Sequence, residues 1–485
     1  MSKAIFVGGT ASNVGKSWMA TALCRTLFRR GVRVAPFKAQ NMSNNSFPCL
    51  SGGEIGRSQV AQAEACGLEP EPAMNPVLLK PTGDSCSQVI LHGKVWKTVH
   101  AKEYYEHTPF LRQETLTAYE DLARRFDVVV MEGAGSVAEI NLWGRDFTNL
   151  SMAEAVQAKC LLVADIERGG VFASILGTLD LLPPAYRRLI HTFAVNRFRG
   201  DRALFADGVS ILEERSQLPC LGVFPFVRDV HVDAEDSLAS VTPASNESHP
   251  KIAILRFPRI SNTTDFRLLP QADWLERPNS QRYEFILLPG TKSTVADLGW
   301  LRSSGLDSWL LRQHAEGAQV LGICGGYQML GESIDDPEGV DGSPGCVMGL
   351  GLLPVRTVME PEKTTRIRNA QTQAGTRFQA YEIHMGRTEQ LEALAPFALL
   401  DDGSPEGARK ERVAGTYLHG ALESAALVSE LFGFTPRANE TKVQNYDALA
   451  DWLEAFSSRK VLDELLAGGE PLQSQDQILV RSESV

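Results

Sequence analysis

No apolar run in the 485-residue chain approaches the roughly 20 residues needed to cross a bilayer, so a membrane-spanning helix is not expected. The eight cysteines form no C-x-x-C pair and no zinc-ligand spacing, which argues against a disulfide framework or a structural zinc site. In a chain of this size they read as reduced cytosolic thiols, most of them buried apolar fillers. There is no excess of positive charge: the net charge of −11 argues against non-specific nucleic-acid binding and gives no reason to expect an anionic membrane partner. The opening residues MSKAIFVGG lack a basic region followed by a long apolar stretch, so they read as a first strand and not a signal peptide. Internal repeats and low-complexity tracts are also missing. What remains is a soluble, cytoplasmic chain of two or three domains, with an ordinary 43% hydrophobic and 22% charged residues.

The chain is organised around Gly8 to Ser17, GGTASNVGKS, which follows the apolar run Ala4–Val7 and precedes a helical stretch from Trp18. Strand, glycine-rich loop and helix form the setting of a phosphate-binding loop: glycines let the backbone wrap phosphate oxygens, and the helix start supplies N–H donors. Lys16 is expected to reach the outer phosphates and Ser17 to hold Mg²⁺. The loop has one residue more between Gly9 and Gly15 than the usual Walker A pattern, so it is a variant. A second strand, 32–37, ends in the amide-rich segment Lys38–Ser46, which makes Lys38 a candidate phosphate or carboxylate contact. Residues 54–65 read as a helix, the proline-bearing stretch 68–90 as irregular, and 110–125 as an amphipathic helix. The unbroken apolar run 127–131 is a buried strand whose tip carries Glu132, positioned to bind Mg²⁺ directly or through water. Further strands at 160–165, 191–196 and 220–224 predict a doubly wound, mostly parallel sheet. The plainer readings are a glycine-rich turn, a solvated Lys38 and a helix-capping Glu132.

Residues 241–250, polar and flanked by prolines, read as a linker between a domain at 1–240 and a second at 251–440, with a helical tail over 441–485. The second domain shows another α/β pattern, with strands at 251–256, 285–288 and 318–323. Gly322-Ile323-Cys324-Gly325-Gly326 has the form of a nucleophile elbow with cysteine at its centre. The following helix start lowers the thiol pKa, and the N–H groups of Gly325 and of Gly290, in a neighbouring Pro-Gly-Thr loop, are candidate oxyanion donors. The base is to be found among His314, His384 and His419; His419 is favoured because it ends a strand-like run against Gly420, leaving His384 structural or in contact with substrate.

With these residues laid out, the second domain resembles a class I glutamine amidotransferase of flavodoxin-like fold. That resemblance implies Cys324 as nucleophile and His419 as base. It departs from the pattern at Ala421, where most members carry a glutamate, so the group orienting His419 stays open. The first domain resembles the dethiobiotin synthetase family of P-loop carboxylate-activating enzymes. The resemblance implies ATP contacts at Thr10, Asn13, Gly15, Lys16, Ser17 and Lys38, adenine reading by Asn196, and Mg²⁺ ligation by Ser17, Glu132 and Glu54. Both domains in this order resemble the cobyric acid synthase family, most specifically in the strings at 35–42, 75–81 and 164–174. The related cobyrinate a,c-diamide synthases share the architecture but differ at the segment 38–42.

The resemblance implies glutamine- and ATP-dependent amidation of the b, d, e and g carboxylates of adenosylcobyrinic acid a,c-diamide in cobalamin biosynthesis, in a protein compatible with homo-oligomers. A MinD/ParA-type ATPase switch shares the phosphate loop but has no use for the elbow. A cysteine hydrolase shares the elbow but has no use for the loop. Glutamine-dependent ATP turnover separates all three.

Overall fold

A computed structural model of the chain describes residues 2–82, 85–227, 230, 232–233, 250–436 and 442–467. The linker expected at 241–250 lies, except for Pro250, outside the described residues, as do the polar residues after 467.

In the first domain the apolar runs form six parallel strands: β1 (Lys3–Gly9), β2 (Val34–Phe37), β3 (Val128–Glu132), β4 (Lys159–Asp165), β5 (Ile190–Phe198) and β6 (Cys220–Pro225). Their order is β6-β5-β4-β1-β3-β2. Such strands are buried on both faces, which is why Val128–Met131 reads as a continuous apolar run. The chain leaves β1 toward β2 and β3 and then crosses to β4 on the other side, so β1 ends at the switch point where open α/β sheets hold ligands. Helix α1 (Lys16–Arg29) starts there, after Gly15 at φ 102°.

Two expectations need correction. The helix read over 54–65 is a short strand, Glu54–Gly56, paired with Ser46–Pro48, and only then helix α2 (Arg57–Ala65). The stretch 68–90 supplies strands Val77–Pro81 and Cys86–Leu91 of a four-stranded sheet with Gln40–Met42 and Lys94–His100. Pro76 and Pro81 stand at the ends of the first of these strands, where a missing N–H costs least.

The second domain contains β7 (Ile252–Leu255), β8 (Asp273–Leu275), β9 (Phe285–Leu288), β10 (Gln319–Ile323), β11 (Ala408–Lys410) and β12 (Val413–Thr416). They lie in the order β8-β7-β9-β10-β12-β11, parallel except for the last pair. A long hairpin, Val355–Gln371 and Arg377–Gln390, belongs to a separate sheet and reaches over the carboxyl ends of these strands.

The tail does not stand apart. Helices Lys442–Phe456 and Arg459–Leu466 return to the first domain, where Tyr446, Leu449, Trp452 and Leu453 pack into the core formed by Ile5, Val7 and Leu23. Among the described residues no helix is long and apolar enough to cross a membrane.

Candidate active sites

The carboxyl ends of β1, β2 and β3 converge on one cluster in the first domain. Register pairs Val7 with Glu132, so the carboxylate emerges beside the loop that follows β1. Ser17 Oγ donates to Glu132 Oε1 at 2.8 Å, Lys38 Nζ to the same oxygen at 3.1 Å, and Gln62 Nε2 to Oε2 at 2.5 Å. Burial alone pushes the Glu132 carboxyl up, but Lys38, Ser17, Gln62 and Lys16 outweigh it and hold the group below its ordinary value. Lys16 Nζ donates to the carbonyls of Ala11 (3.0 Å) and Gly135 (2.7 Å), which keeps its stem across the loop. Thr10 anchors the loop by donating its N–H to Val163 O at 3.0 Å, and Asn13, at φ 60°, lines the open side.

The cleft over this cluster measures about 960 Å³, at the upper end for a small-molecule site. Asn196, from β5, is committed to the loop: its Nδ2 donates to Val14 O at 2.9 Å and its Oδ1 accepts from Arg197 N at 2.8 Å. Glu54 is not brought to this cleft. Its buried carboxylate accepts from Lys80 Nζ at 2.6 Å, from Ser46 Oγ at 2.6 Å and from Lys363 Nζ of the second domain. Among the described residues no group of three or more His, Cys, Asp and Glu is placed to hold a metal ion.

The second site lies where β7, β9, β10 and β12 end side by side. Cys324 follows β10 at φ 52° and ψ −110°, a backbone strain confined to the turn into helix Gly325–Leu330. Its N–H donates to Thr416 O at 2.8 Å, which ties the elbow to the strand that leads to the histidine. Small neighbours are required here: a Cβ on Gly326 would meet Leu288 O at 2.1 Å, and one on Gly325 would meet Thr291 Cγ2 at 2.7 Å. Gly290 lies against the His419 ring, where a Cβ would meet Cε1 at 2.5 Å.

His419 is 1% exposed, with Nδ1 2.7 Å from Asp265 Oδ2. The other oxygen of Asp265 accepts the N–H of Gly420 at 2.6 Å, so one carboxylate fixes both the ring and its backbone. The ring is also stacked on Tyr381 at 5.5 Å, and backbone bonds to Tyr381 at 2.8 and 2.9 Å hold the segment to the hairpin. Nε2 is buried without a hydrogen bond, and the Cys324 thiol donates to Ile383 O at 3.6 Å. Burial lowers the imidazole pKa, yet Asp265 and then Cys324 raise it against that effect to about 10.

The other two histidines of the second domain have different surroundings. His314 bonds Ala318 O at 3.0 Å on a distant helix end. His384 stacks on Tyr417 at 3.8 Å and bonds Gly386 O at 2.8 Å, forming part of the cavity wall beside Cys324. Sequence reasoning missed Asp265, which lies on the turn Thr263–Phe266 beyond β7; its one signal was the missing glutamate at 421.

Comparison with known proteins agrees with both halves. Residues 5–239 match the family described as "CobQ/CobB/MinD/ParA nucleotide binding domain", and residues 251–427 match "CobB/CobQ-like glutamine amidotransferase domain". Proteins named "Cobyric acid synthase" from two strains of Dehalococcoides mccartyi are 44% identical over 451 residues, covering 88% of this chain and 89% of theirs. The solved structure of PurLQS from Thermotoga maritima is 15% identical, with a TM-score of 0.29, and covers 42% of this chain and 97% of its own.

Proposed function

The chain belongs to the cobyric acid synthase family, and from that premise we propose that it spends ATP, with Mg²⁺, to amidate the b, d, e and g carboxylates of adenosylcobyrinic acid a,c-diamide. It is a glutamine-hydrolysing carbon–nitrogen ligase of cobalamin amidation, using a nucleotide and acting on a corrinoid. The observation that carries the finer reading is the pairing, in one chain, of an aspartate-oriented histidine at an elbow cysteine with a phosphate loop facing a wide cleft.

A carboxylate is a poor acyl donor, because oxide would have to leave. Phosphorylation by the γ-phosphoryl group of ATP turns that oxygen into phosphate, a good leaving group. Lys16 and the amides of the loop stabilise the charge in flight, and Lys38 holds Glu132 ionised beside them. Ser17 and Glu132 are the groups that would hold Mg²⁺, which when bound neutralises charge on the transferred phosphoryl group. In the other domain the Cys324 thiolate attacks the side-chain amide of glutamine, with Gly290 and Gly325 as the proposed oxyanion donors. Protonated His419 gives its proton to the departing nitrogen, which leaves as ammonia, and then activates water to release glutamate. Ammonia attacks the acyl phosphate carbon, phosphate departs, and a primary amide remains. A cytoplasmic setting belongs to this reading, since all eight cysteines are unpaired and the nucleophile needs a reducing environment.

Mass spectrometry of corrinoid products formed with ATP and glutamine is expected to show four carboxyl-to-amide conversions. Cys324→Ala is expected to abolish the glutamine-dependent series and to leave the series supported by ammonium chloride. Absence of ATP-dependent amide with both nitrogen sources, in the unaltered enzyme, would sink the reading.

A further inference from the structure

One sequence string singled out above, 75–81, lies between the two sites. Along strand Val77–Pro81 the side chains alternate: Leu79 and Pro81 line the nucleotide cleft, whereas Lys80 lines the cavity of Cys324. The segment that begins at Lys38 follows the same course. Lys38 is paired to Glu132 at 3.1 Å, while Asn44 lines the Cys324 cavity and Ser46 N donates to Asn262 Oδ1 at 3.1 Å. The partition between the chambers is therefore one strand thick at Lys80. A buried ionic cluster fills it. Lys80 Nζ bonds Glu54 (2.6 Å) and Ser46 Oγ (2.7 Å), and Lys363, from the amidotransferase hairpin, bonds the other Glu54 oxygen.

We propose that nitrogen released at Cys324 crosses the partition at Lys80, and that the Lys80–Glu54–Lys363 cluster is the positioning element that passes it as neutral ammonia while excluding ammonium. This rests on the reaction proposed above. The cavity brings together the amines of Lys80, Lys292 and Lys363, faced by Asp341 and, behind them, Glu54. A further cation there meets like charge with little water to screen it, whereas uncharged ammonia does not. Burial resists a cation there as well: burial and then Lys363 push the Lys292 pKa down to about 8, and burial pushes Lys80 down to about 7 against the pull of Glu54. The cluster also joins the domains, since Glu54 and Lys80 come from one and Lys363 from the other.

The test uses the full-length enzyme with ATP, Mg²⁺ and the corrinoid, supplied with either glutamine or ammonium chloride, and measures glutamate and amide together. In Lys80→Met the amide formed per glutamate is expected to fall about fivefold or more, with ammonium-dependent synthesis falling far less. Lys363→Met, which breaks the cluster from the other domain, is expected to do the same and serves if Lys80→Met does not fold. An unchanged ratio in both variants overturns the proposal, and so does an equal fall with both nitrogen donors. Failure of the unaltered enzyme to make amide from ammonium chloride points instead to the underlying reaction.

Discussion

Orientation of the His419 ring falls to Asp265, a carboxylate that is fully buried and bonded both to Nδ1 and to the Gly420 N–H. Its removal is expected to act on proton transfer before it acts on binding. In Asp265→Asn, glutamine-dependent kcat is expected to fall on the order of 10³- to 10⁴-fold, with KM for glutamine nearly unchanged and ammonium-dependent synthesis retained. The pH profile supplies a second check. Asp265 is the largest influence raising His419 to about 10, so the variant imidazolium loses its proton at lower pH. The basic limb of glutaminase activity is therefore expected to move toward neutrality; a limb that stays in place would show that Asp265 only supports the fold. Cys324 was legible because an elbow is a local string. Asp265 was not, because its partner is 154 positions away and the pairing exists only once β7 and β12 lie in one sheet.

At the scale of elements, the phosphate loop depends on one close approach. Gly15 stands at φ 102°, and a Cβ there would come within 2.1 Å of Asn196 Nδ2. Gly15→Ala thus meets both backbone strain and a clash with the side chain that braces Val14. Nucleotide affinity by calorimetric titration is expected to drop at least about tenfold, while Cys324 still hydrolyses glutamine. Helix α2 is less local in its reach. Gln62 holds Glu132 in the nucleotide site, and Arg57, at the other end of the helix, pairs with Glu423 on the turn after His419. The alanine content and spacing of α2 were legible in the sequence. Its start was not, because Glu54–Gly56 is drawn into a strand by pairing with Ser46–Pro48. Residues 68–90 were obscured in the same way: proline density marked them as loop, and only sheet pairing shows that the prolines stand at strand ends.

For the whole molecule, helices Lys442–Phe456 and Arg459–Leu466 decide whether the first domain is closed. Tyr446, Leu449, Trp452, Leu453, Val461, Leu462, Leu465 and Leu466 are all buried against the N-terminal sheet and α1. Burial of eight such side chains is worth on the order of 10–20 kcal/mol as an upper figure, comparable with the stability of an entire domain. Truncation before residue 442 is therefore expected to abolish the cooperative unfolding transition of the first domain by circular dichroism. A truncated chain that melts like the full one would refute this. The same helices make the first domain discontinuous in the chain, so the second domain is inserted between its parts.

The amino-acid sequence by itself determined the chemistry: the loop at 8–17, the elbow at Cys324 and the apolar runs that make two parallel sheets all act through neighbours in the chain. Only the tertiary structure decided which carboxylate orients His419, that Glu54 joins a lysine cluster between the domains, and where the last helices dock. Each of those pairs residues far apart in the chain, and such contacts leave no periodicity or spacing to read.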